Sequence, residues 1–443
     1  MANCDYSCVL MDKHKKRPGR TRGMRRVDLS YAELASSETA RNINRDIVLT
    51  MIRSLQPISR AELARRSGLQ RSTVSLIIEQ LIEEKWVQEG AVARRPRGRR
   101  PTLLGLNEDL VIIAADIHPA QSSVAVVDLN GRLLSRSVIP LSADPAAAVG
   151  LLIDCILRLK ANFPRKSVEG IGISLPGRVD PDTQHLIFAP NLHWPDFDIK
   201  KKIEQETGLH VALENAANAC LLAELWFGRM DGVRNAVLVT VSEGIGTGIY
   251  ANGHLVTGQH GMAGEFGHAP LDPNGPVCAC GMKGCWETFA SCRAALHYYA
   301  DLSHPSKALT YQQLLSAAEG GHPHAVEALA KQAYYIGRGL RLILAGLSPE
   351  VILVAGDVTS AWHRFGPIIE AQVAELTLAG SPPRLMPTHE GEVARLRGAA
   401  ALVLQQRSSH ESSREPSSRV PAKRRSFKGK MANRRQTLPK SKT

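Results

Sequence analysis

The stretch CACGMKGCWE, Cys278 to Glu287, limits this chain more than any other. Cys278, Cys280 and Cys285 fall close together, and His268 stands ten residues before the first of them. Three thiolates and an imidazole in four-coordination suit a structural Zn2+ and leave no vacant position for a catalytic water. The Cys-x-Cys spacing is not that of the commonest zinc fingers, so the spacing alone is a partial signature. The other cysteines, Cys4, Cys8, Cys155, Cys220 and Cys292, have no ligand-like spacing. A disulfide framework would scatter its cysteines more evenly, so the clustering favours metal.

The rest of the 443 residues allow two or three domains with a sizeable core. No segment has the unbroken apolar length of a membrane span. The first residues lack the apolar core of a signal peptide, so a cytoplasmic, nucleoid-associated protein is expected. The net charge of +13 is unevenly spread: Arg407 to Thr443 holds 12 Lys/Arg against 2 Asp/Glu, and Met1 to Ser30 holds 8 against 3. Residues 1–40 and 406–443 therefore read as basic disordered arms, either simply solvated or adding phosphate attraction.

Residues 41–107 read as a winged helix-turn-helix. RNINRDIVLTMIRSL spaces Ile43, Ile47, Met51, Ile52 and Leu55 on one helical face. Ser59 and Glu62 form a capping-box pair for a second helix, which Gly68 ends. A third helix turns Val74, Ile77, Ile78 and Leu81 inward, leaving Arg71, Ser72, Thr73 and Ser75 at its exposed N-terminal end. In a helix-turn-helix this end enters the major groove, where Arg pairs with guanine and Ser or Thr reaches bases or phosphates. Arg94, Arg95, Arg97, Arg99 and Arg100 would ride on a wing and meet phosphate or minor groove. The segment carries 13 Lys/Arg and 6 Asp/Glu, which favours double-stranded DNA over a protein-interaction module.

From Glu108 to Gln405 strands and helices alternate, as in a two-lobed α/β domain with a cleft. Here ISRAELARRSGLQRSTVS, GRRPTLLGLN, GMAGEFGHAP and CACGMKGCWE follow one another in an order that resembles transcriptional regulators of the ROK family, which also contains sugar kinases. The resemblance runs from Arg41 to Gln405. It implies an actin-like (ribonuclease H-like) ROK domain over 108–405 behind the winged helix-turn-helix. It also implies that His268, Cys278, Cys280 and Cys285 ligate zinc, and that Asn215, Glu265, His268 and Glu287 contact a sugar.

Two departures from the kinase pattern bear on catalysis. The family's first phosphate loop resembles Asp-x-Gly-Gly-Thr, whereas DIHPAQ keeps Asp116 and puts Pro119, which has no N–H, in the loop. The kinases resemble Glu-Asn-Asp where this chain has Glu214-Asn215-Ala216, and a methyl group cannot act as base. The glycines of EGIGTG remain. The expectation is a chain that is not an enzyme: a repressor of carbohydrate-related genes, governed by a sugar or sugar derivative. It would bind a palindromic operator as a homodimer or tetramer, without a membrane partner. The alternatives are a sugar kinase carrying a DNA-binding domain, and a constitutive DNA-binding protein with a vestigial sugar site.

Overall fold

The computed structural model describes residues 37–92 and 101–413, except 120, 190, 191, 193, 195, 196, 229, 231, 306, 376–381, 389 and 390. The chain separates into Met1–Ile47 and Val48–Thr443. Most of residues 1–40, all of 414–443, and Arg94, Arg95, Arg97, Arg99 and Arg100 lie outside the described residues.

The first elements are α1 (Ser37–Leu55), β1 (Ile58–Ser59), α2 (Arg60–Ser67), α3 (Arg71–Glu83), β2 (Val87–Val92) and β3 (Thr102–Leu106). Helix α1 starts inside the segment expected to be an arm, because Glu38, Ala40 and Arg41 are good helix formers that need no core. Its buried apolar side chains are Val48, Leu49 and Ile52, whereas Ile43 and Ile47 are about half exposed; Ile52 of the expected face meets the core, but the buried face is rotated away from Ile43 and Ile47. Ser59 caps α2 by accepting from the Glu62 N–H at 3.3 Å. The Glu62 carboxylate, however, turns to Arg65 and Arg66 instead of closing a capping box. Gly68 ends the helix with φ +73°, the left-handed conformation that glycine adopts without strain. The four apolar positions expected to face inward on α3 do so. The strand order β1-β3-β2 makes a small wing-like sheet.

The first lobe contains β4 (Leu110–Asp116), β5 (Gln121–Asp128), β6 (Leu133–Pro140), α4 (Pro145–Ala161), β7 (Ser167–Leu175), β8 (Arg178–Val179), β9 (Leu186–Phe188), α5 (Ile199–Thr207), β10 (Val211–Asn215) and α6 (Ala216–Phe227). Its sheet has the order β10-β7-β4-β5-β6, with β7 parallel to both β4 and β10. β4 is buried along its whole length, as expected of a strand covered on both faces.

The second lobe contains β11 (Ala236–Val241), β12 (Ile245–Ala251), β13 (His254–Leu255), α7 (Glu287–Ala290), α8 (Cys292–Ser303), α9 (Tyr311–Glu319), α10 (Pro323–Leu347), β14 (Val351–Ala355), α11 (Trp362–Ala374) and β15 (Arg384–Pro387). Its sheet has the order β13-β12-β11-β14-β15. The last helix, α12 (Gly391–Ser413), runs beyond the expected end near Gln405 and returns to the first lobe. A Cβ at Gly172 of β7 would collide with the Ala399 backbone, and one at Gly398 with the Ala219 backbone of α6. Glycine at these positions lets the helix lie directly on sheet and helix.

The winged helix and the first lobe share one core. Ile52, Leu63, Leu81 and Trp86 belong to the same buried cluster as Leu110, Ile112, Val127, Leu402 and Leu404. Trp86 is 1% exposed, and burying its 150–250 Å2 of side chain supplies about 4–6 kcal/mol before ordering costs. Three polar ties reinforce this seam. The Arg53 guanidinium lies 5.2 Å from the Trp226 ring centre, Gln56 Nε2 donates to Asn130 at 2.6 Å, and Arg407 lies over Trp86.

Candidate functional site

The cysteine cluster is a tight knuckle. Cys278 N–H donates to Met282 O at 2.7 Å and Gly281 N–H returns to Cys278 O at 2.9 Å. A bridge pairs Pro270 with Cys285. Gly284 has φ +69°, and any side chain there would run into Asp272 O. This folding brings His268, Cys278, Cys280 and Cys285 together with their ligand atoms within 4.8 Å of one another. Cys278 Sγ lies 3.5 Å from His268 Nδ1 and Cys280 Sγ 3.7 Å from Cys285 Sγ. A tetrahedron with metal–sulfur bonds of about 2.3 Å has edges of about 3.8 Å, so the donor set fits a metal ion. Cys292 lies elsewhere, buried on α8 as expected.

The segments that carry the expected sugar-contacting residues pack on or beside strand β12. The four-residue helical turn at its flank, Glu265–His268, presses so closely on β12 that a Cβ at Gly264 or Gly267 would hit Thr247 O or Ile245 O. A Cβ at Gly244 would meet Glu287 Oε2 at 2.6 Å, and one at Gly248 would meet Ala217 O at 2.8 Å. The glycines expected to cradle an anion thus also let α6, the metal knuckle and Glu287 converge on one strand.

His268 divides its ring between two neighbourhoods. Nδ1 faces Cys278 and lies 3.6 Å from Glu287 Oε1, while Nε2 lies 3.7 Å from Glu265 Oε2. A metal at the thiols would therefore be held by Nδ1, with Nε2 beside Glu265. Glu287 also lies 2.9 Å from Cys278 Sγ, so the knuckle holds the Glu287 carboxylate, while Glu265 lies beside His268. Asn215 is partly committed to structure: its Oδ1 accepts from Ala217 N–H at 2.8 Å and its Nδ2 donates to Gly177 O at 2.7 Å. One lone pair and one N–H of this amide remain for a ligand. Beneath it Glu214 accepts from Asn215 N–H and Asn218 Nδ2, and burial pushes its carboxyl up.

Several residues of the interlobe cleft were not anticipated together. Asp116, at the end of β4, accepts from Arg395 Nε of α12 at 2.8 Å. Burial pushes the Asp116 carboxyl up while the Arg395 guanidinium pulls it down. The imidazole of His118 is held below its usual range by burial and by Arg395, and Asp116, Glu243 and Asp357 act on it in the opposite sense. Asp116 and Arg395 are 279 positions apart, so no local pattern announces the pair.

At the N-terminal end of α3, Arg71 and Ser72 are exposed, and Thr73 and Ser75 are partly exposed. The first turn of α3 has no acidic residue, and Gln70 supplies no side-chain cap. The free N–H groups and positive helix end there suit phosphate.

A winged helix joined to a two-lobed domain, with a Cys3His knuckle between potential hydroxyl-binding carboxylates, defines a regulator-like sugar-kinase relative. Residues 112–406 match the ROK family, and the chain belongs to it. It is 31% identical to the xylose repressor of Bacillus subtilis over 378 residues, 84% of this chain and 97% of that one. The crystal structure of a ROK family transcriptional regulator, a homologue of the Escherichia coli MLC protein, aligns over 83% of this chain and 97% of its own. Its TM-score is 0.72 and its identity 27%.

A ROK family glucokinase from Streptomyces griseus, solved with glucose and AMPPNP, aligns over 67% of this chain and 99% of its own. Its TM-score is 0.60 and its identity 30%. This likeness overturns the expectation that the chain is not an enzyme: the whole kinase chain is matched, and with it the family's catalytic potential. The physical weakness of that expectation was its reliance on two positions. Ala216 supplies no base, yet the charges of Asp116, Glu243 and Asp357 all act on the His118 imidazole.

Proposed function

We propose that this protein is a DNA-binding transcriptional repressor whose ROK domain reads a sugar or sugar derivative. The observation that carries the reading is the common core of the winged helix and the first lobe, seen at Trp86, Leu402 and Leu404. A DNA-binding unit built into the sensing lobe cannot respond by loosening on a linker; it must move with that lobe. In an operator-bound homodimer, cleft closure then changes the spacing of two recognition helices on a palindrome.

Arg71, Ser72, Thr73 and Ser75 are proposed to meet the major groove, with Arg94, Arg95, Arg97, Arg99 and Arg100 adding phosphate contacts. Asn215, Glu265, His268 and Glu287 are proposed to bind the sugar hydroxyls, and the knuckle is proposed to hold Zn2+. Thiolate-rich tetrahedral donors favour that ion over Mg2+ or Ca2+. When bound, the ion fixes the orientation of the His268 ring; Glu265 and Glu287 then present acceptors to neighbouring hydroxyls.

Sugar coupling requires unequal affinity for the operator-bound and free states. Fluorescence anisotropy of the full-length protein on promoter palindromes, with and without xylose or glucose, tests the reading. Salt-dependent binding that a sugar weakens supports it; failure to bind any promoter of the host genome refutes it.

A further inference from the structure

A cavity of about 540 Å3 opens beside the metal knuckle and is lined in part by Cys278 and Glu287. It therefore begins at the carboxylate assigned above to sugar binding and extends away from Asn215 and Glu265, neither of which lines it. Its size falls in the range that takes a ligand larger than a single small ring.

One wall is aromatic. Phe289 and Tyr335 stack with ring centres 4.9 Å apart, and Tyr298 continues the stack at 6.4 Å from Tyr335. The Tyr298 hydroxyl donates to Phe289 O at 2.9 Å, which fixes its ring. Such a wall offers apolar surface with polar tips, matching a pyranose that presents C–H bonds on its faces and hydroxyls at its edge.

The charges around it select against anions. Arg293 is already bound to Glu243, donating to its backbone O at 2.8 Å and lying 3.2 Å from its carboxylate. Lys331 Nζ lies 4.2 Å from the Tyr298 ring centre. Glu287 and Asp301 complete the charged lining. A phosphate would face the Glu243, Glu287 and Asp301 carboxylates against two cations, of which Arg293 is already paired with Glu243, whereas a hydroxyl can donate to the carboxylates.

We infer that the effector is an uncharged glycoside larger than a monosaccharide, with its first ring at Glu287 and its second unit on the Phe289–Tyr335–Tyr298 wall. This inference rests on the sugar-responsive reading above and specifies its ligand class.

Calorimetry on the full-length, zinc-loaded protein tests it with xylose, xylobiose, glucose and cellobiose. At least one disaccharide is expected to bind about tenfold more tightly than its own monosaccharide. His297→Trp, on the exposed side of α8 lining the cavity, fills the space without emptying the core and is expected to abolish that gain. Tyr335→Ala removes the central ring and is expected to do the same. A disaccharide that binds no better than its monosaccharide, or a gain that survives both substitutions, overturns the inference while leaving the sugar-responsive reading intact. No binding of any of the four sugars overturns both.

Discussion

The Arg407 guanidinium lies 4.9 Å from the centre of the Trp86 ring and also donates to the backbone O of Glu84, the residue that ends α3. The same helix α12 carries Arg395, bound to Asp116 in the cleft. Twelve residues of helix separate the two arginines, a span of about 18 Å at a rise of about 1.5 Å per residue. One rigid element thus touches both the interlobe cleft and the base of the recognition helix.

Arg407→Ala is predicted to lower the thermal midpoint, through loss of about 1–2 kcal/mol of partly desolvated cation–π contact. It is also predicted to blunt the sugar response while leaving operator affinity largely unchanged. Arg407→Lys keeps charge over the ring but loses the planar fork, so an intermediate response is expected. Calorimetric melting and sugar-dependent anisotropy check both variants.

Cys280→Ser removes the exposed member of the Cys3His set. Metal analysis is expected to show loss of bound zinc, with the sugar response lost in the same preparation because His268 and Glu287 are no longer held. A wild-type sugar response from a zinc-free variant would separate the knuckle from the effector site.

Glu214→Gln is predicted to raise stability at neutral and alkaline pH. Burial raises the folded-state pKa of Glu214 above its unfolded value. Its favourable contribution is therefore fully present below the unfolded pKa and is lost as pH rises through the folded pKa. Glutamine has no such loss, so the gap between variant and wild type should widen with rising pH and close towards acid. Melting curves across a pH series decide this.

Arg71→Ala is predicted to weaken operator binding and, if Arg71 meets a phosphate, to reduce the slope of log affinity against log salt by about 1. If it reads a guanine instead, a loss of about 1–3 kcal/mol should appear at one base position. Binding titrations at several salt concentrations on wild-type and substituted operators distinguish the two.

Helix α3 was legible because Val74, Ile77, Ile78 and Leu81 repeat at helical spacing. The cluster that could hold a metal was legible because its three cysteines lie close together, and the family resemblance added His268 to them. The face of α1 was misread: Ile43 and Ile47 satisfy the same period as Val48 and Ile52, and periodicity does not say which apolar stripe meets the core. The pairs Asp116–Arg395 and Trp86–Arg407 join residues hundreds of positions apart through α12, and only tertiary folding creates them. The catalytic expectation failed for a related reason. Ala216 and Pro119 can be read one position at a time, but the charges that act on His118, from Asp116, Glu243, Asp357 and Arg395, come from distant parts of the chain.

Sugar occupancy is proposed to change operator affinity through a DNA-binding unit that shares its core with the sensing lobe. The most direct test measures anisotropy of the full-length, zinc-loaded protein on a labelled palindrome from its own promoter region, titrated with the four sugars named above. The account predicts tight, salt-sensitive binding that at least one sugar weakens, with the change abolished by Cys280→Ser. Operator binding that no sugar alters would contradict it.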